Sequence, residues 1–431
     1  MVQILHLGDC HFDDAYYLNR PERRRLLDES REQALRAAVE TAVNRQVDLF
    51  VWAGDVLDGE RRVSLKTRSL LEQALSELKE AGVEIAWMTG NHDPKCYLES
   101  QGLDQLLHAY GVHIFDGPVR TVGLTARDGS PYKIVGSGHE EKGLMENRLK
   151  TYPVKVEGVV TIGLLHGSVQ GGTLQPDGGQ SGESLGLPPG LKPEDLYFPC
   201  SKSDLRRLGY DLICLGHVHV PYKIDGADLP AYYAGSLTGL SHKETGSRGA
   251  WLHRLGHGGQ TSTFLTLSPL EWRTVALDVT PEWSLEQLNE ALQAVLKNRA
   301  GQLMLRLSIN GVNDKILTAL RHDQETLRDR IGNAVEAAEV ELRFDMVPER
   351  VLELQRTGDT FAAHLSRCLE NPEFMGAVWS VYAQRALGFE YEGEGDGHEE
   401  NEDHAQVLQA ALHDLWPRWM GGQRYGGGGR S

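Results

Sequence analysis

No run of about eighteen apolar residues occurs in the 431-residue sequence, so no segment reads as a membrane-spanning helix. Residues 1–5 enter an apolar strand directly. They lack the charged and cleavage regions of a signal peptide, which predicts a cytoplasmic protein. Cysteine is scarce. Cys10, Cys96, Cys200, Cys214 and Cys368 are scattered, odd in number and never spaced Cys-x-x-Cys. That speaks against a disulfide framework and against a structural zinc site. No internal repeat is present. Positive charge is short as well: 44 Lys and Arg stand against 61 Asp and Glu, for a net charge of −17. Duplex-binding proteins usually carry a basic footprint, so the balance weighs against nucleic acid. The excess is uneven, however. Residues 390–404 hold eight carboxylates and no Lys or Arg, and the rest of the chain sits at about −9. A local basic groove remains compatible with that figure.

The length predicts about two or three domains. Strand signals at residues 2–7, 48–53 and 83–89 alternate with helix signals at 22–45 and 64–81. The first helix carries an apolar stripe at Ala34, Leu35, Ala38, Val39 and Ala42. This βαβαβ rhythm predicts parallel strands with helices on the faces, and ligand sites at the strands' carboxyl ends. Further strands read at 132–136, 159–165 and 211–215. Those at 231–234, 249–254 and 262–267 look more antiparallel. Residues 171–193 are rich in Gly, Pro and Ser and read as an exposed loop or flap.

The pattern changes near residue 270. A strand at 271–279, a helix at 285–297, a strand at 302–309, a helix at 317–331 and a strand at 339–346 form a compact α+β unit. The expected division is a catalytic domain over 1–270, a capping domain over 271–346 and a helical extension over 347–389. An acidic linker over 390–403 and a C-terminal helix with a Gly-rich tail over 404–431 complete it. Helices are expected at 351–370, 372–387 and 404–416. The last of these carries Val407, Leu408, Ala411, Leu412, Leu415 and Trp416 on one face, a surface for intrachain packing or for a partner helix.

Five short segments carry chemistry: Gly8-Asp9-Cys10-His11, Gly54-Asp55-Val56-Leu57-Asp58, Gly90-Asn91-His92-Asp93, His166-Gly167 and Gly216-His217-Val218-His219. Each follows an apolar stretch that reads as a strand. Seven donors, Asp9, His11, Asp55, Asn91, His166, His217 and His219, therefore fall on loops at one sheet edge. Alone, each has an ordinary reading: a histidine at a strand end or a Gly-Asp turn. Five in order at five strand ends point instead to two divalent cations and phosphate-ester hydrolysis. Asp55 is the natural carboxylate to bridge them. The mixed nitrogen and oxygen set suits manganese, and also iron or zinc, better than magnesium. Cys10 alternates away from the ligands and reads as a buried bystander. His6 and Trp52 read as core, while the spacing of His139, His242 and His253 decides nothing.

The pattern D-x-H, G-D-x-x-D, G-N-H-D, H, G-H-x-H resembles the calcineurin-like metallophosphoesterase superfamily, and within it the SbcD-type DNA repair exonucleases of the YhaO-like branch. Gly59-Glu60, Leu208-Gly209-Tyr210-Asp211, Tyr233-Ala234-Gly235-Ser236, Glu244 and Arg248-Gly249 extend the likeness. The resemblance implies an α/β fold, a two-sheet sandwich flanked by helices, with a small α+β capping domain and C-terminal helices. It implies one ion on Asp9, His11, Asp55 and His219, and another on Asp55, Asn91, His166 and His217. It further implies a catalytic His92 oriented by Asp58, with phosphate positioning as the competing role. A bridging hydroxide would attack phosphorus in line. Asp93 reads as a turn residue or as one lying behind the ligands.

By the same resemblance the substrate is DNA, cut 3′-to-5′ from duplex ends and endonucleolytically in single strands. The implied partners are an SbcC-like coiled-coil ATPase and a second copy of the chain. Two basic clusters follow the first two motifs: Arg20, Arg23, Arg24 and Arg25, then Arg61, Arg62, Lys66 and Arg68. They suit DNA phosphates or, equally, a solvated helix face. Tyr16 and Tyr17 read as packing rather than base-stacking residues. Two other functions fit parts of the sequence: a phosphodiesterase or phosphatase for small nucleotides or phosphoproteins, and a non-catalytic scaffold subunit.

Overall fold

The computed structural model describes residues 1–346 apart from 60, 171–195, 227, 257–258, 298–301, 317 and 319–323. The expected Gly- and Pro-rich loop, the helices beyond residue 350, the acidic linker and the tail lie outside the described residues. Two units can be distinguished. The first comprises Met1–Arg273 with Asn298–Leu305 and Glu336–Glu339; the second comprises Thr274–Lys297, Arg306–Val335 and residues from Val340 onward.

In chain order the first unit begins β1 (Val2–Leu7), α1 (Pro21–Asn44), β2 (Leu49–Trp52), α2 (Leu65–Glu80) and β3 (Glu84–Met88). There follow α3 (Lys95–Ser100), α4 (Leu103–Ala109), β4 (His113–Phe115), β5 (Arg120–Thr125), β6 (Pro131–Gly136) and β7 (Val160–His166). Next come β8 (Val169–Gln170), β9 (Cys200–Ser201), α5 (Lys202–Leu208), β10 (Leu212–Gly216), β11 (Tyr222–Lys223) and β12 (Ala231–Tyr233). The strands β13 (Gly249–Gly256) and β14 (Gly259–Thr266) then form a hairpin.

One six-stranded sheet has the order β14-β13-β1-β2-β3-β4 and the other β11-β12-β10-β7-β6-β5, with β8 and β9 as a separate pair. As the βαβαβ pattern requires, β1, β2, β3 and β4 run parallel. β13 and β14 are antiparallel, as read. β12 is mixed: it pairs antiparallel with the two-residue β11 and parallel with β10. A three-residue strand is too short for periodicity to show its direction.

Alternation along the strands builds a four-layer sandwich. Leu5, Leu7, Phe50, Trp52, Ile85 and Trp87 face the stripes of α1 and α2, where Leu35, Val39, Leu71 and Leu75 are buried. The opposite faces, with Val2, Ile4, Leu49 and Val51, meet Ile134, Ile162, Leu164 and Leu212 of the other sheet. Beyond that sheet, Leu215 and Ile213 pack with Leu205 and Leu208 of α5. The central strands of both sheets are thus buried on both faces, and their ends are free to present polar loops.

A three-stranded sheet, β15 (Leu270–Val279), β16 (Gln302–Gly311) and β17 (Ala337–Met346), follows in that spatial order. Its helices are α6 (Leu285–Val295) and α7 (Gln324–Val335). Ser284 and Gln287 form a capping box that starts α6. No helix among the described residues is long and apolar enough to cross a membrane.

Candidate metal centre

Five strand ends converge on one point. The loop after β1 delivers Asp9 and His11, that after β2 Asp55, and that after β3 Asn91 and His92. His166 closes β7, and His217 and His219 follow β10. The loops are held tightly enough that several donors sit on left-handed backbone: Asp9 and His11 at φ 47°, Asp55 at 49° and His217 at 95°. Such conformations are costly for side chains with a Cβ and persist where surrounding contacts over-determine them. Here the contacts are visible. Asp9 and His11 bond through their amides to the Gly54 and Asp55 carbonyls, both at 3.0 Å. Two glycines make the convergence possible. A Cβ on Gly90 would stand 2.1 Å from Asp55 Oδ1, and one on Gly54 2.2 Å from His166 Nδ1.

The donor atoms lie within reach of one another. Asp55 Oδ2 stands 3.2 Å from His166 Nε2 and 3.9 Å from His11 Nε2. His166 Nε2 is 3.1 Å from Asn91 Oδ1, and His11 Nε2 is 3.1 Å from His219 Nε2. His166 Nδ1 donates to the Ala53 carbonyl at 2.8 Å. A carbonyl only accepts, so Nδ1 carries a proton there and Nε2 is the nitrogen turned toward the other donors. The Asp9 carboxylate accepts the His217 amide at 2.9 Å. Asp9, His11 and His219 form one group with ligand atoms within 4.8 Å; Asp55, His166 and His217 form another; His11, Asp55 and His92 overlap both. Each group could hold a metal ion. The buried carboxylates, the inward-facing imidazole nitrogens and the amide oxygen are donors of the kind that divalent transition metals take.

The electrostatics match. Burial pushes the Asp55 carboxyl up, but the His166 and His92 imidazoles outweigh it and hold it well below the usual range. Burial would lower His166, yet Asp55 beside it raises it to about 9. His219 reaches about 9 in the same way, against burial, through Glu244. Burial lifts Asp9 to about 6 despite His166 and His219. His11 is driven well down by burial and by His219.

His92 lies at the rim, its side chain 30% exposed, with Nδ1 at 3.3 Å from Asp58 Oδ1. Its amide donates to Asp55 Oδ1 at 2.8 Å. Burial lowers its pKa, but Asp55 and Asp58 together raise it. Cys10 is buried in the helix-side core. His139 packs its ring edge-on to His166 and donates from Nε2 to the His166 carbonyl at 2.9 Å. His242 packs against Trp272.

The basic clusters divide. Arg23 is buried and paired with Glu339. Arg24 bonds to Asp14 and Asp28, and Lys66 pairs with Glu32 at 2.9 Å. Arg68 donates to the Gln101 and Gly102 carbonyls. Arg20, Arg25, Arg61 and Arg62 are exposed. Tyr17 packs, stacked on Trp272 with the Arg23 guanidinium over its ring. Tyr16 is 53% exposed.

Two residues matter more here than their sequence context suggested. Glu244 receives His219 Nδ1 at 2.8 Å, the Ser236 hydroxyl at 2.8 Å and the Leu240 amide at 3.1 Å. Its only signal in the sequence was family likeness. Asp93 accepts four backbone amides: Gly90 and Val56 at 2.8 Å, Asp55 at 3.1 Å and Leu57 at 3.3 Å. One buried carboxylate thus ties the second motif to the third. The adjacency of Asp93 to Asn91 and His92 was the available clue.

The family model for calcineurin-like phosphoesterases matches residues 2–221. The uncharacterized metallophosphoesterase YhaO of Bacillus subtilis is 26% identical over 318 residues, covering 72% of each chain. The DNA double-strand break repair protein Mre11 of Methanopyrus kandleri is 30% identical over 281 residues, which span 60% of this chain and 55% of that protein. Among solved structures, a dimetal phosphatase from Danio rerio is similar at 13% identity and a TM-score of 0.34, covering 62% of this chain and 99% of that one. Enzymes of this family hydrolyse phosphoester bonds at dimetal centres, and the site described above lies largely within the matched residues. The chain belongs to the calcineurin-like phosphoesterase family.

Proposed function

We propose that the protein is a two-metal DNA nuclease. The observation that carries the two-metal reading is the position of Asp55, whose Oδ2 lies between His166 Nε2 at 3.2 Å and His11 Nε2 at 3.9 Å. One carboxylate can then serve two ions. Asp9, His11, Asp55 and His219 would hold the first, and Asp55, Asn91, His166 and His217 the second. Manganese fits the mixed donors best, with iron and zinc as alternatives. When bound, the pair neutralises the phosphate and acidifies the attacking water.

The chain's own residues do the rest. His92, held at Nδ1 by Asp58, presents its Nε2 proton to the departing oxygen. Asp55 and Asp58 raise its pKa, which favours the protonated imidazole that this role needs. Glu244 and the Ala53 carbonyl fix the orientation of His219 and His166. Asp93 holds the Asp55 and Asn91 loops in register.

DNA as substrate is supported by the relationship to a protein named for double-strand break repair. It is supported also by Arg20, Arg25, Arg61 and Arg62, which follow the first two motifs and remain exposed. Local positive charge suffices for phosphate contacts even on an acidic chain. In this reading residues 271–346 cap the nuclease, cleavage runs 3′-to-5′ from duplex ends and endonucleolytically in single strands, and a coiled-coil ATPase and a second copy of the chain are partners. The deciding experiment incubates the protein and manganese with end-labelled duplex and single-stranded DNA, beside bis-p-nitrophenyl phosphate and cyclic nucleotides. Cleavage of DNA is expected. Turnover of the small esters alone overturns the nuclease assignment and leaves the two-metal chemistry standing.

A further inference from the structure

The layer between the two sheets is largely apolar. Val2, Ile4, Leu212, Tyr232 and Leu255 line it, and among them lie His6, Cys214 and His253, each fully buried. They come from three strands and both sheets: β1, β10 and β13. None belongs to the phosphoesterase centre. Burying two imidazoles in such a layer is unfavourable unless they are partnered.

Their partners are arranged in a telling way. His6 Nε2 donates to the Leu215 carbonyl at 3.2 Å. A carbonyl cannot donate, so the proton of neutral His6 sits on Nε2 and Nδ1 is left as an acceptor. That nitrogen lies 3.4 Å from His253 Nε2. The outer nitrogen of His253, Nδ1, bonds to Ser262 Oγ at 2.8 Å, and Ser262 accepts Gln260 Nε2 at 3.2 Å. Each imidazole is therefore anchored on its outer nitrogen and turns the inner one to a common point. The Cys214 sulfur completes the group, all three ligand atoms lying within 4.8 Å of one another. Outer anchoring of inward-facing imidazoles is how proteins orient metal-binding histidines.

We propose that His6, Cys214 and His253 form a third metal site, distinct from the phosphoesterase centre, that takes monovalent copper. The chemistry selects the ion. A thiolate with two imidazoles is a soft to borderline set that disfavours manganese and magnesium. Three donors suit trigonal copper(I), whereas zinc prefers four. Charge decides further: a thiolate, two neutral imidazoles and a monovalent cation sum to zero, while a divalent ion would leave a net charge in a dry core. Burial keeps both imidazoles neutral, with His6 lowered to about 3 and His253 well below its ordinary value. Binding releases the Cys214 thiol proton to solvent. If His253 carries its proton on Nε2, that proton moves to Nδ1, where it is donated to Ser262. No oxidation or reduction is involved, because copper enters as copper(I).

The test uses the full chain, supplied with manganese to fill the other centre and titrated anaerobically with copper(I) against bicinchoninate. The wild type is expected to retain one copper equivalent that Cys214→Ser lacks. Cys96 is exposed and Cys10 buried, and both persist in the variant as controls. X-ray absorption of the wild-type complex should show one sulfur and two imidazole neighbours. Equal removal of copper from both proteins overturns the proposal and leaves the trio as a hydrogen-bonded core cluster. If Cys214→Ser does not fold, the wild-type spectrum decides alone, and coordination by anything but one sulfur and two imidazoles overturns it.

Discussion

Glu244 Oε1 lies 2.8 Å from His219 Nδ1, and the carboxylate is itself held by Ser236 and by the Leu240 amide. This makes Nδ1 of His219 a donor and turns Nε2 to face His11 at 3.1 Å. A carboxylate behind a metal-binding imidazole raises its basicity as well as its order. Glu244→Gln should therefore weaken metal binding by about 10–100-fold while leaving the fold intact. Isothermal titration with manganese, with circular dichroism as the control, measures it. Unchanged affinity would remove Glu244 from the site.

Asp55→Asn and His92→Ala should separate holding metal from moving a proton. Asp55 stands between the donor groups, so its amide variant is expected to lose metal content and at least ~10²-fold in turnover. His92 touches Asp58 at 3.3 Å and lies at the rim. His92→Ala should keep its metal and lose about 10²–10⁴-fold in kcat. Metal analysis beside single-turnover rates distinguishes the two. Retained turnover in His92→Ala sinks its catalytic role.

Why some of this was legible in the sequence and some was not follows from distance along the chain. Asp9, His11, Asp55, Asn91 and His166 each sit within a few residues of a recognisable strand end, so local periodicity places them on one edge. Glu244 lies on a loop 25 residues beyond His219, and nothing local links them. Arg23 and Arg24 look like free cations beside a catalytic loop. Their partners are Glu339, at a separation of 316 residues, and Asp14, whose side chain is buried. A charge count sees neither pairing. His6, Cys214 and His253 sit on three strands whose facing depends on how two sheets stack, which periodicity does not encode. The parallel partner of β12 is hidden for the same reason: direction in a short strand is set by its neighbours.

The raised histidines set a pH dependence. His166 and His219 stand at about 9, above the ordinary 6.5. Protein prepared free of metal therefore gains stability from these groups fully below pH 6.5 and loses it as pH rises through 9. A metal needs the same nitrogens deprotonated. Metal affinity should climb as pH rises from 7 toward 9 and level off above, with protons released on binding. Titration calorimetry in buffers of different ionisation enthalpy counts those protons. An affinity that falls over this range contradicts the assignment of both residues.

Asp93 offers a stability test apart from metal. Its carboxylate accepts four amides, and Asp93→Asn would turn an NH2 group toward some of those donors. Leaving buried amides unpaired costs about 1–3 kcal/mol each. A loss of roughly 2–4 kcal/mol in urea denaturation of metal-free protein is expected. A change below about 0.5 kcal/mol, the scale of an ordinary surface substitution, would show that the loops hold without it.

The exposed arginines test the substrate. Arg61 and Arg62 follow the Asp55 motif and are free to reach a phosphate in a way that Arg23, buried against Glu339, is not. If both contact DNA, Arg61→Glu with Arg62→Glu should weaken duplex binding across all sequences alike. It should also lower the slope of log affinity against log salt by about 0.9 for each contact removed. The ratio of DNA cleavage to bis-p-nitrophenyl phosphate cleavage should fall with it, because the small ester spans no second phosphate. A salt slope identical to that of the wild type would mean that these arginines form a solvated face, and the DNA path would have to run over other residues.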